Sequence, residues 1–394
     1  MAIYQFLIAV RQSNATNPAA MLTNADGEST SHIQGIFNRT IRFLTEGVKP
    51  VYVFDGKPPN IKSHELVKRR ERREKAEAEL KKAKEEGNIE EQDKQSKRLV
   101  RAGQKENDDC KKLLRMMGVP VVEAPCEAEA QAASLCRNGK VWAVGTEDMD
   151  ALTFQTPILL RKMTFANASK SDIQQMDYKK AIEGLGLTQP EFVDLCILLG
   201  CDYCDSIKGI GPKTALKLIR QHESIENILE NIDRKKYTIP DDWLPHEKIE
   251  AKESAENDDQ HDDNGDSDEK EEKESAEDNI EVVPIFVKAR QLFNEHEVLV
   301  DVELKWKECQ PEELTKFLVD EQGFSAERVK ANIEKLQKAF KASSKPQQRM
   351  DAFFKPLPSK KGAKKKDTKA NTKRKGAKSD EKQAKKKGFF GGKK

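Results

Sequence analysis

Residues 124–150, APCEAEAQAASLCRNGKVWAVGTEDMD, decide the expected fold, because they hold two pairs of acidic residues beside a predicted helix and strand. Glu127 and Glu129 open a run of Ala, Glu and Gln that favours helix. Asp148 and Asp150 follow the apolar run VWAV, which is typical of a buried strand. Ligands of open α/β sheets bind at the carboxyl ends of parallel strands, so the second pair is expected at that edge.

Two further acids end apolar runs in the same way. Asp55 follows residues 50–54 (PVYVF), and Asp202 follows residues 192–201 (FVDLCILLGC). Carboxylates that converge repel one another and need a cation, and Mg²⁺ or Mn²⁺ prefers such oxygen ligands. The alternative is that each acid caps a helix or is simply solvated. We interpret the set as a metal cage formed by Asp55, Glu127, Glu129, Asp148, Asp150 and Asp202.

Charge is separated along the 394 residues, of which 36% are hydrophobic and 35% charged. Residues 250–281 hold 16 acidic and 3 basic residues, a net charge of −13, whereas residues 355–394 hold 17 basic and 3 acidic, a net charge of +14. Such segments are expected to lie outside a core, and the basic one suits a polyanion such as nucleic acid.

The seven cysteines are odd in number and scattered, which favours a reducing intracellular compartment over a disulfide scaffold. Cys201 and Cys204 form a CxxC. It lacks the second pair that zinc would need and the clear strand-to-helix context of a thioredoxin-like motif. No apolar run reaches membrane-spanning length, and the apolar start has no secretory signal pattern.

Helix and strand patterns alternate in the first hundred residues. Apolar spacing predicts a helix with Ile3, Phe6, Leu7 and Val10 on one face, then a loop containing Asn14, Asn17, Pro18 and Gly27. Ser31 is predicted to cap a second helix, with Gln34 completing a capping box and Gly47 ending it. Residues 51–54 then form a strand that delivers Asp55.

Residues 62–103 are almost entirely charged and helix-forming, with too few apolar side chains for an ordinary core helix. They predict a projecting helical element, and a solvated charged helix is the alternative. The start is strongly basic and follows Asp55 directly. Its cations lie within reach of a phosphate held there: Lys62, Lys68, Arg69, Arg70, Arg72 and Arg73.

Further along, short strands are predicted at residues 119–122, 141–144 and 157–161, and an apolar helix runs from Thr188 to about Gly200. The next motif is KGIGPKTA, residues 208–215. Its glycines allow backbone N–H groups to approach a phosphate at a helix N-terminus. The alternative is a turn that merely joins two helices.

The last third alternates disordered and helical patterns. Residues 240–284 are predicted to be an acidic linker, and helices follow from Ile285 to Phe340. Near the end, Met350 precedes Phe353 and Phe354 in a polar tail, so these side chains are predicted to anchor in a partner's apolar pocket. The lysine-rich remainder fits nuclear targeting or nonspecific DNA contact.

These motifs, in this order and spacing, resemble the flap endonucleases, a family of structure-specific 5′ nucleases. The matching stretches are YVFDGKPP (52–59), APCEAEA (124–130), TEDMD (146–150), LGCDYC (199–204) and GIGPK (209–213). The resemblance implies an α/β fold with a mostly parallel central sheet flanked by helices, a helical arch, a helix–two-turn–helix motif and a disordered basic tail. It also implies 5′ flap endonuclease and 5′–3′ exonuclease activity in Okazaki-fragment maturation and long-patch base excision repair.

Site residues carry over position by position. The resemblance implies that the six acids bind two Mg²⁺ ions, with Mn²⁺ as a substitute, and that Lys62 and Arg69 contact the scissile phosphate. The implied DNA-binding residues are Tyr4, Arg39, Glu127, Gly200, Asp202, Gly209, Gly211 and Lys213. The sliding clamp PCNA would dock on residues 347–354 through Gln347, Met350, Phe353 and Phe354. The chain is expected to be a monomer in the nucleus (nucleolus and nucleoplasm), with mitochondria as a second location and no membrane partner.

The expected organisation has five parts. They are an N-terminal nuclease region 1–103 with the arch at 62–103, an internal region 104–240 with the helix–two-turn–helix at 200–220, the acidic insertion 241–284, a helical part 285–344 and the tail 345–394. One departure from the family is that a first strand ending in a metal-ligating Asp is missing, so we expect the working protein to be longer. Two alternatives remain open: a mismatch-repair 5′ exonuclease, and a cleavage-deficient DNA-junction and clamp binder.

Overall fold

In the part of the chain that the structure describes, short strands form three separate sheets. The computed structural model describes Ile3, Phe6 and Leu7, and residues 12–14, 17–20, 24, 27–100, 102–163, 172–244 and 283–342. The strands are β1 (Gln12–Asn14), β2 (Asn17–Ala20), β3 (Tyr52–Phe54), β4 (Val121–Glu123), β5 (Val144–Gly145), β6 (Ile158–Arg161) and β7 (Gln174–Asp177). β3 pairs with β4 and β5 with β6 in parallel, whereas β1–β2 and β6–β7 are antiparallel. Among the described strands, β4 and β5 are not hydrogen-bonded to each other, so the parallel sheet is divided.

The predicted α/β class is confirmed, and helices make up most of the described chain beside the short parallel strand pairs. The α-helices are Ser31–Thr45, Ser63–Glu85, Ile89–Leu99, Gln104–Met116, Ala128–Arg137, Asp150–Thr153, Tyr178–Leu185, Gln189–Leu199, Pro212–His222, Ile225–Asn231, Ile285–Asn294, Pro311–Thr315 and Ala326–Ala342. Short 3₁₀ turns lie at Asn60–Lys62 and Asp241–Trp243, and a π-helical segment at Lys316–Glu321. None of the helices in these described parts is long and apolar enough to cross a membrane.

The charged stretch after Asp55 folds into two packed helices, Ser63–Glu85 and Ile89–Leu99, which we call the charged hairpin. Its small interface buries Ala76 and Ala83, each 3% exposed. The Gln92 amide also donates to the Ala83 carbonyl at 2.9 Å. Alanine allows two helices to approach closely, so the hairpin forms without a large apolar face. The predicted helices are confirmed.

The buried apolar residues of the described chain form two large cores and one small cluster. The first core gathers Ile3, Phe6 and Leu7 with the helix Ser31–Thr45, and the C-terminal helix Ala326–Ala342 returns to the same core. The second core joins the four helices Gln189–Leu199, Pro212–His222, Ile225–Asn231 and Ile285–Asn294. The small cluster contains Leu152, Leu159 and Phe192. All described residues belong to one compact unit, residues 1–348.

The described residues before and after the acidic segment contact each other. Trp243 is fully buried and packs on Phe286 with 5.4 Å between ring centroids, and its indole N–H donates to the Asp205 carbonyl at 2.9 Å. A segment whose flanks lie together can be inserted without disturbing the core, which agrees with the predicted insertion. Residues 245–282 themselves, the tail from residue 343 and Val10 lie outside the described residues.

Three local predictions were wrong. Residues 12–20 contain the pair β1–β2 instead of only a loop, with Gln12 opposite Ala20. The helix begins at Ser31 itself, so the residue that precedes it is Thr30 and the predicted capping box is not formed. The strand at residues 141–144 is reduced to Val144 and Gly145, because the Val141 N–H still bonds to the Leu135 carbonyl at the end of the preceding helix.

Candidate active site

Asp55 leaves the end of β3 and lies against the start of a helix. The backbone of Gly56 donates to the Cys126 carbonyl at 2.6 Å, so the β3–β4 pairing continues past both strands. A Cβ atom on Gly56 would collide with the carbonyl oxygens of Ala124 and Pro125, and therefore only glycine permits this approach. As a result, Asp55 Oδ1 accepts the backbone N–H of Ala128 at 2.9 Å.

Glu127 is the residue before the helix Ala128–Arg137, and its carboxylate is 9% exposed. Its Oε1 accepts the Lys62 ammonium at 2.6 Å, and its Oε2 accepts the Tyr203 hydroxyl at 2.5 Å. These contacts join residues from three distant parts of the sequence. Tyr203 was missed by the sequence analysis, where the motif LGCDYC could have drawn attention to it.

Two cations reach Asp202: Lys62, directly before the charged hairpin, and Arg69, within its first helix. Lys62 Nζ lies 2.9 Å from Asp202 Oδ2, and Arg69 Nη2 donates to both oxygens of Asp202 at 3.0 and 2.8 Å. Burial on its own would raise the pKa of Asp202, but Lys62 and Arg69 hold it below its ordinary value. The two predicted phosphate-contacting cations therefore lie at the acidic site before any ligand binds.

Thr146 connects the first acidic pair to the second. Its Oγ1 donates to Glu129 Oε1 at 3.4 Å and accepts the backbone N–H of Asp148 at 3.2 Å. Asp148 Oδ1 in turn accepts the N–H of Asp150 at 3.1 Å. Thr146 itself is held by β6, because its N–H bonds to the Leu160 carbonyl. The sequence alone assigned Thr146 no role beyond its place in the motif TEDMD.

Electrostatic repulsion acts between members of this acidic set. Burial, with the charges of Asp55 and Asp148, raises the pKa of Glu129. Burial raises the pKa of Asp150 to about 7, and the nearby charges of Asp148, Asp202 and Glu127 act in the same direction. Like charges raise carboxyl pKa values only when they are near, so each of the six predicted acids has at least one other member of the set close to it. The six are Asp55, Glu127, Glu129, Asp148, Asp150 and Asp202.

A divalent cation fits the chemistry of this cluster. A hard divalent cation prefers carboxylate oxygen ligands and would offset the repulsion between these buried side chains. In the described parts of the chain, however, no three His, Cys, Asp or Glu side chains converge closely enough to enclose an ion. Instead, Lys62 and Arg69 supply positive charge to Glu127 and Asp202. The donor types suit a divalent metal ion, and in this structure Lys62 and Arg69 are the ion-pair partners of Glu127 and Asp202.

The other predicted DNA-binding residues lie on different elements. Arg39 stacks on Phe6 with its guanidinium carbon 4.1 Å from the ring centroid, and burial lowers its pKa. Gly200 is exposed at the end of the helix Gln189–Leu199. Tyr4 lies outside the described residues, as do the predicted clamp-binding residues Gln347, Met350, Phe353 and Phe354.

The glycine turn precedes a helix of eleven residues, Pro212–His222, with Pro212 at its first position. Gly209 has φ +93°, a region that L side chains rarely adopt, and Tyr237 would lie 3.2 Å from a Cβ there. Gly211 and Lys213 are exposed at the start of the helix. This end of the helix is therefore exposed, and phosphate binding there stays a prediction.

Carboxylates at a sheet edge, with cations brought to them by a helical hairpin, place the chain among the structure-specific nucleases. Two family models match it: the XPG N-terminal domain over residues 1–76 and the XPG I-region over residues 118–202. The chain is similar to a flap endonuclease 1 from Phaeodactylum tricornutum, 65% identical over 354 residues that cover 90% of this chain and 83% of that protein. A flap endonuclease 1 from Nematostella vectensis is 49% identical over 361 residues, 91% of this chain and 83% of that protein.

Solved structures agree. The flap endonuclease-1 from Methanococcus jannaschii matches with a TM-score of 0.59 and 29% identity, over 86% of this chain and 90% of that one. The catalytic core of Rad2 in complex with DNA substrate matches with a TM-score of 0.55, over 85% and 89% of the two chains, and at 24% identity it shows the fold alone. The chain belongs to the flap endonuclease family. It is accordingly a hydrolase, a structure-specific DNA nuclease of replication and repair, in a family that depends on divalent metal ions.

Proposed function

We propose that this chain cleaves branched DNA at the base of a 5′ flap, with 5′–3′ exonuclease activity on related ends. Its roles would be Okazaki-fragment maturation and long-patch base excision repair. The observation that carries the proposal is the position of Lys62, directly before the charged hairpin, and of Arg69 within it, since both reach the acids Glu127 and Asp202 at 2.6 to 3.0 Å. A phosphate at that edge would meet both cations.

The proposed cofactor is Mg²⁺, two ions per site, with Mn²⁺ as a substitute. The residues that would hold them are Asp55, Glu127, Glu129, Asp148, Asp150 and Asp202. When bound, such a pair of ions activates water and stabilises the leaving oxygen of a phosphodiester. Support comes from the mutual charge effects of the six acids and from the raised pKa of Asp150, which a nearby cation would lower again.

Lys62 and Arg69 would then transfer their hydrogen bonds from carboxylates to phosphate oxygens. Both donors are already oriented by the fold, so little reorganisation is needed when charge develops on the phosphoryl group. The Arg69 guanidinium suits a two-point contact with phosphate. Glu127 remains fixed by the Tyr203 hydroxyl after Lys62 leaves it.

Duplex DNA would be held away from the reacting phosphate. We place one phosphate at the start of the helix Pro212–His222, where Gly209, Gly211 and Lys213 are exposed. Arg39 and Gly200 would approach the DNA from other elements, with Tyr4 stacking on a base. Such contacts do not distinguish one base from another, so selectivity would rest on the shape of the DNA.

Three further proposals rest on the sequence. PCNA would bind residues 347–354, the nucleus would be the main location with mitochondria second, and the protein would act as a monomer. Replacing Phe353 and Phe354 by Ala should abolish PCNA binding in a pull-down and leave flap cleavage in the absence of PCNA unchanged. Binding that survives the double substitution would refute the clamp-binding proposal.

The decisive experiment is Mg²⁺-dependent cleavage of a labelled 5′ flap by the full chain, with a nicked duplex as the comparison substrate. Asp148→Ala should abolish cleavage and keep flap binding measurable. Asp320→Ala, an exposed carboxylate on the segment Lys316–Glu321, is the matched control and should cleave normally. Retained turnover by Asp148→Ala would refute the ligand assignment. Flap binding without cleavage by the unmodified chain would instead support a junction and clamp binder.

A further inference from the structure

Two cysteines close the turn that carries Asp202 and Tyr203. Cys201 and Cys204 face each other in an isolated antiparallel bridge, and their sulfur atoms are 3.6 Å apart. Cα atoms across such a bridge are about 4.5–5.5 Å apart. That separation lies within the range of about 4.4–6.8 Å that a disulfide requires. The spacing of the two Cα atoms is thus compatible with a disulfide, although the two sulfur atoms must still move towards each other.

We propose that Cys201 and Cys204 are an oxidation site that regulates the nuclease, an inference that rests on the proposed function for its effect on cleavage. Hydrogen peroxide, as the oxidant, would take two electrons from the pair. The two S–H bonds break, one S–S bond forms, and the O–O bond of the peroxide breaks to give two molecules of water. A thiol reductant reverses the step by exchange.

A surface pocket gives a small oxidant a path to the pair. Cys201 is half-buried and Cys204 is buried, and both line a shallow pocket at the protein surface together with Glu65 and Asp205. By contrast, Cys110 is fully buried in the first core. The pair has no third His, Cys, Asp or Glu ligand near enough to enclose a metal ion within the described part of the chain, so it is not a closed zinc site. The feature that favours this pair is the short distance between its two sulfur atoms.

Closing the bond would disturb the acidic site. The sulfur atoms must approach from 3.6 Å to about 2.05 Å. The two residues between them are Asp202, which binds Lys62 and Arg69, and Tyr203, which binds Glu127. Misplacing a catalytic group by about 1 Å can slow a reaction as much as 100-fold. We therefore expect the oxidised protein to cleave at least about tenfold more slowly.

The test uses the reduced full chain, titrated with hydrogen peroxide. Free thiols are alkylated, and the peptide spanning residues 201–204 is analysed by mass for the loss of two hydrogens. Flap cleavage and flap affinity are measured on the same samples. The expected result is an intra-turn disulfide that forms in step with the loss of cleavage and disappears with dithiothreitol, together with the recovery of activity.

Variants separate this disulfide from other oxidation. Cys204→Ser and Cys201→Ser should each keep cleavage after peroxide, whereas the control Cys110→Ser should lose it like the unmodified chain. The proposal fails if no intra-turn bond forms, or if both serine variants are inactivated equally. It also fails if Cys201 bonds to Cys196, a neighbour close enough for their charges to interact. Mass mapping reads the bond even in a chain that does not cleave, so failure of the nuclease and failure of the oxidation site are distinguishable.

Discussion

The Tyr203 hydroxyl donates a 2.5 Å hydrogen bond to Glu127 Oε2, which ties the turn after Gly200 to the start of the helix Ala128–Arg137. Both partners are buried, and the charge of Glu127 helps burial to raise the pKa of Tyr203, so the hydroxyl stays protonated and remains a donor. The aromatic ring of Tyr203 thus connects Asp202, its neighbour in the chain, to Glu127.

Removing that hydroxyl should weaken both the fold and the site. Tyr203→Phe leaves a buried carboxylate oxygen without its donor, and we expect a loss of about 1–3 kcal/mol in the free energy of unfolding. Cleavage should slow as well. Tyr178→Phe is the matched control, because the Tyr178 hydroxyl is buried with no partner among the described residues. Urea unfolding of both variants measures the difference, and equal losses would contradict the assigned role of Tyr203.

The fork of Arg69 is expected to matter beyond its charge. Arg69→Lys keeps the cation but cannot reproduce the two-oxygen contact with Asp202, and cleavage should slow by about tenfold or more. Arg70→Lys changes a neighbour that is paired only loosely, 3.8 Å from Glu74, and should cleave normally. Single-turnover rates on a flap substrate compare the two. Identical rates for Arg69→Lys and the unmodified chain would show that charge alone suffices.

The second core depends on a buried ion pair. Arg290 donates to both carboxylate oxygens of Asp194, at 2.6 and 2.8 Å, and also to Glu226. Asp194 accepts a further hydrogen bond from the Ile225 N–H. Arg290→Met leaves Asp194 buried without its cation, so unfolding should become easier by about 3–5 kcal/mol.

Lys288→Met, at an exposed position of the same helix Ile285–Asn294, is the control for Arg290→Met and should change stability by less than about 0.5 kcal/mol. Denaturant midpoints and slopes decide between the two outcomes. A small effect of Arg290→Met would mean that Asp194 is protonated in the folded protein.

The stability of the protein should fall between pH 7 and pH 5 in part because of His32. This residue is 2% exposed, and burial lowers its pKa from the ordinary 6.5, although Asp109 at 3.7 Å opposes the shift. The unfolded chain therefore takes up a proton near pH 6.5, where the folded chain does not. Stability from this group is present above that pH and is lost as the pH falls towards the folded pKa.

His32→Gln should reduce the change in unfolding free energy between pH 7 and pH 5, because the variant lacks the group that the unfolded chain protonates more readily. His222→Gln, on the last turn of the helix Pro212–His222, serves as the control and should leave the change as it is. Only the difference between variant and unmodified chain isolates His32, because Asp109 and Asp150 have raised pKa values that act in the opposite direction. An unchanged pH dependence in His32→Gln would contradict the assignment.

The two glycines of the turn should respond differently to alanine. Gly209→Ala forces a side chain into φ +93°, which should cost about 1–2 kcal/mol of stability. Gly211 has an ordinary φ of −105° and open space at its Cβ position, so Gly211→Ala should fold normally. If a phosphate approaches the backbone there, Gly211→Ala should nevertheless bind duplex DNA several-fold more weakly in a titration at fixed salt. Unchanged affinity would move the proposed phosphate site elsewhere.

Local patterns predicted much of this protein. The helix that follows Thr188, the helix that begins at Pro212 and the strand that precedes Asp55 depend on a few adjacent residues, and the structure confirms each. Charge type and order also predicted a basic segment directly after Asp55, and two of its cations, Lys62 and Arg69, lie at Glu127 and Asp202 in the structure. The strand prediction at residues 141–144 was wrong in part because two elements compete for the same backbone N–H group. Val141 was expected in a strand, but its N–H is used by the end of the preceding helix.

Contacts across the chain were decided only by tertiary structure. Nothing local indicates that Tyr203 reaches Glu127, 76 positions earlier, or that Arg290 pairs with Asp194 across 96 positions. Residue types determine which side chains can bind a metal or a phosphate, because charge and donor geometry are properties of the residue itself. Distance, burial and pKa depend on which elements pack together, and so the raised pKa of Asp150 and the 3.6 Å approach of Cys201 to Cys204 required the fold.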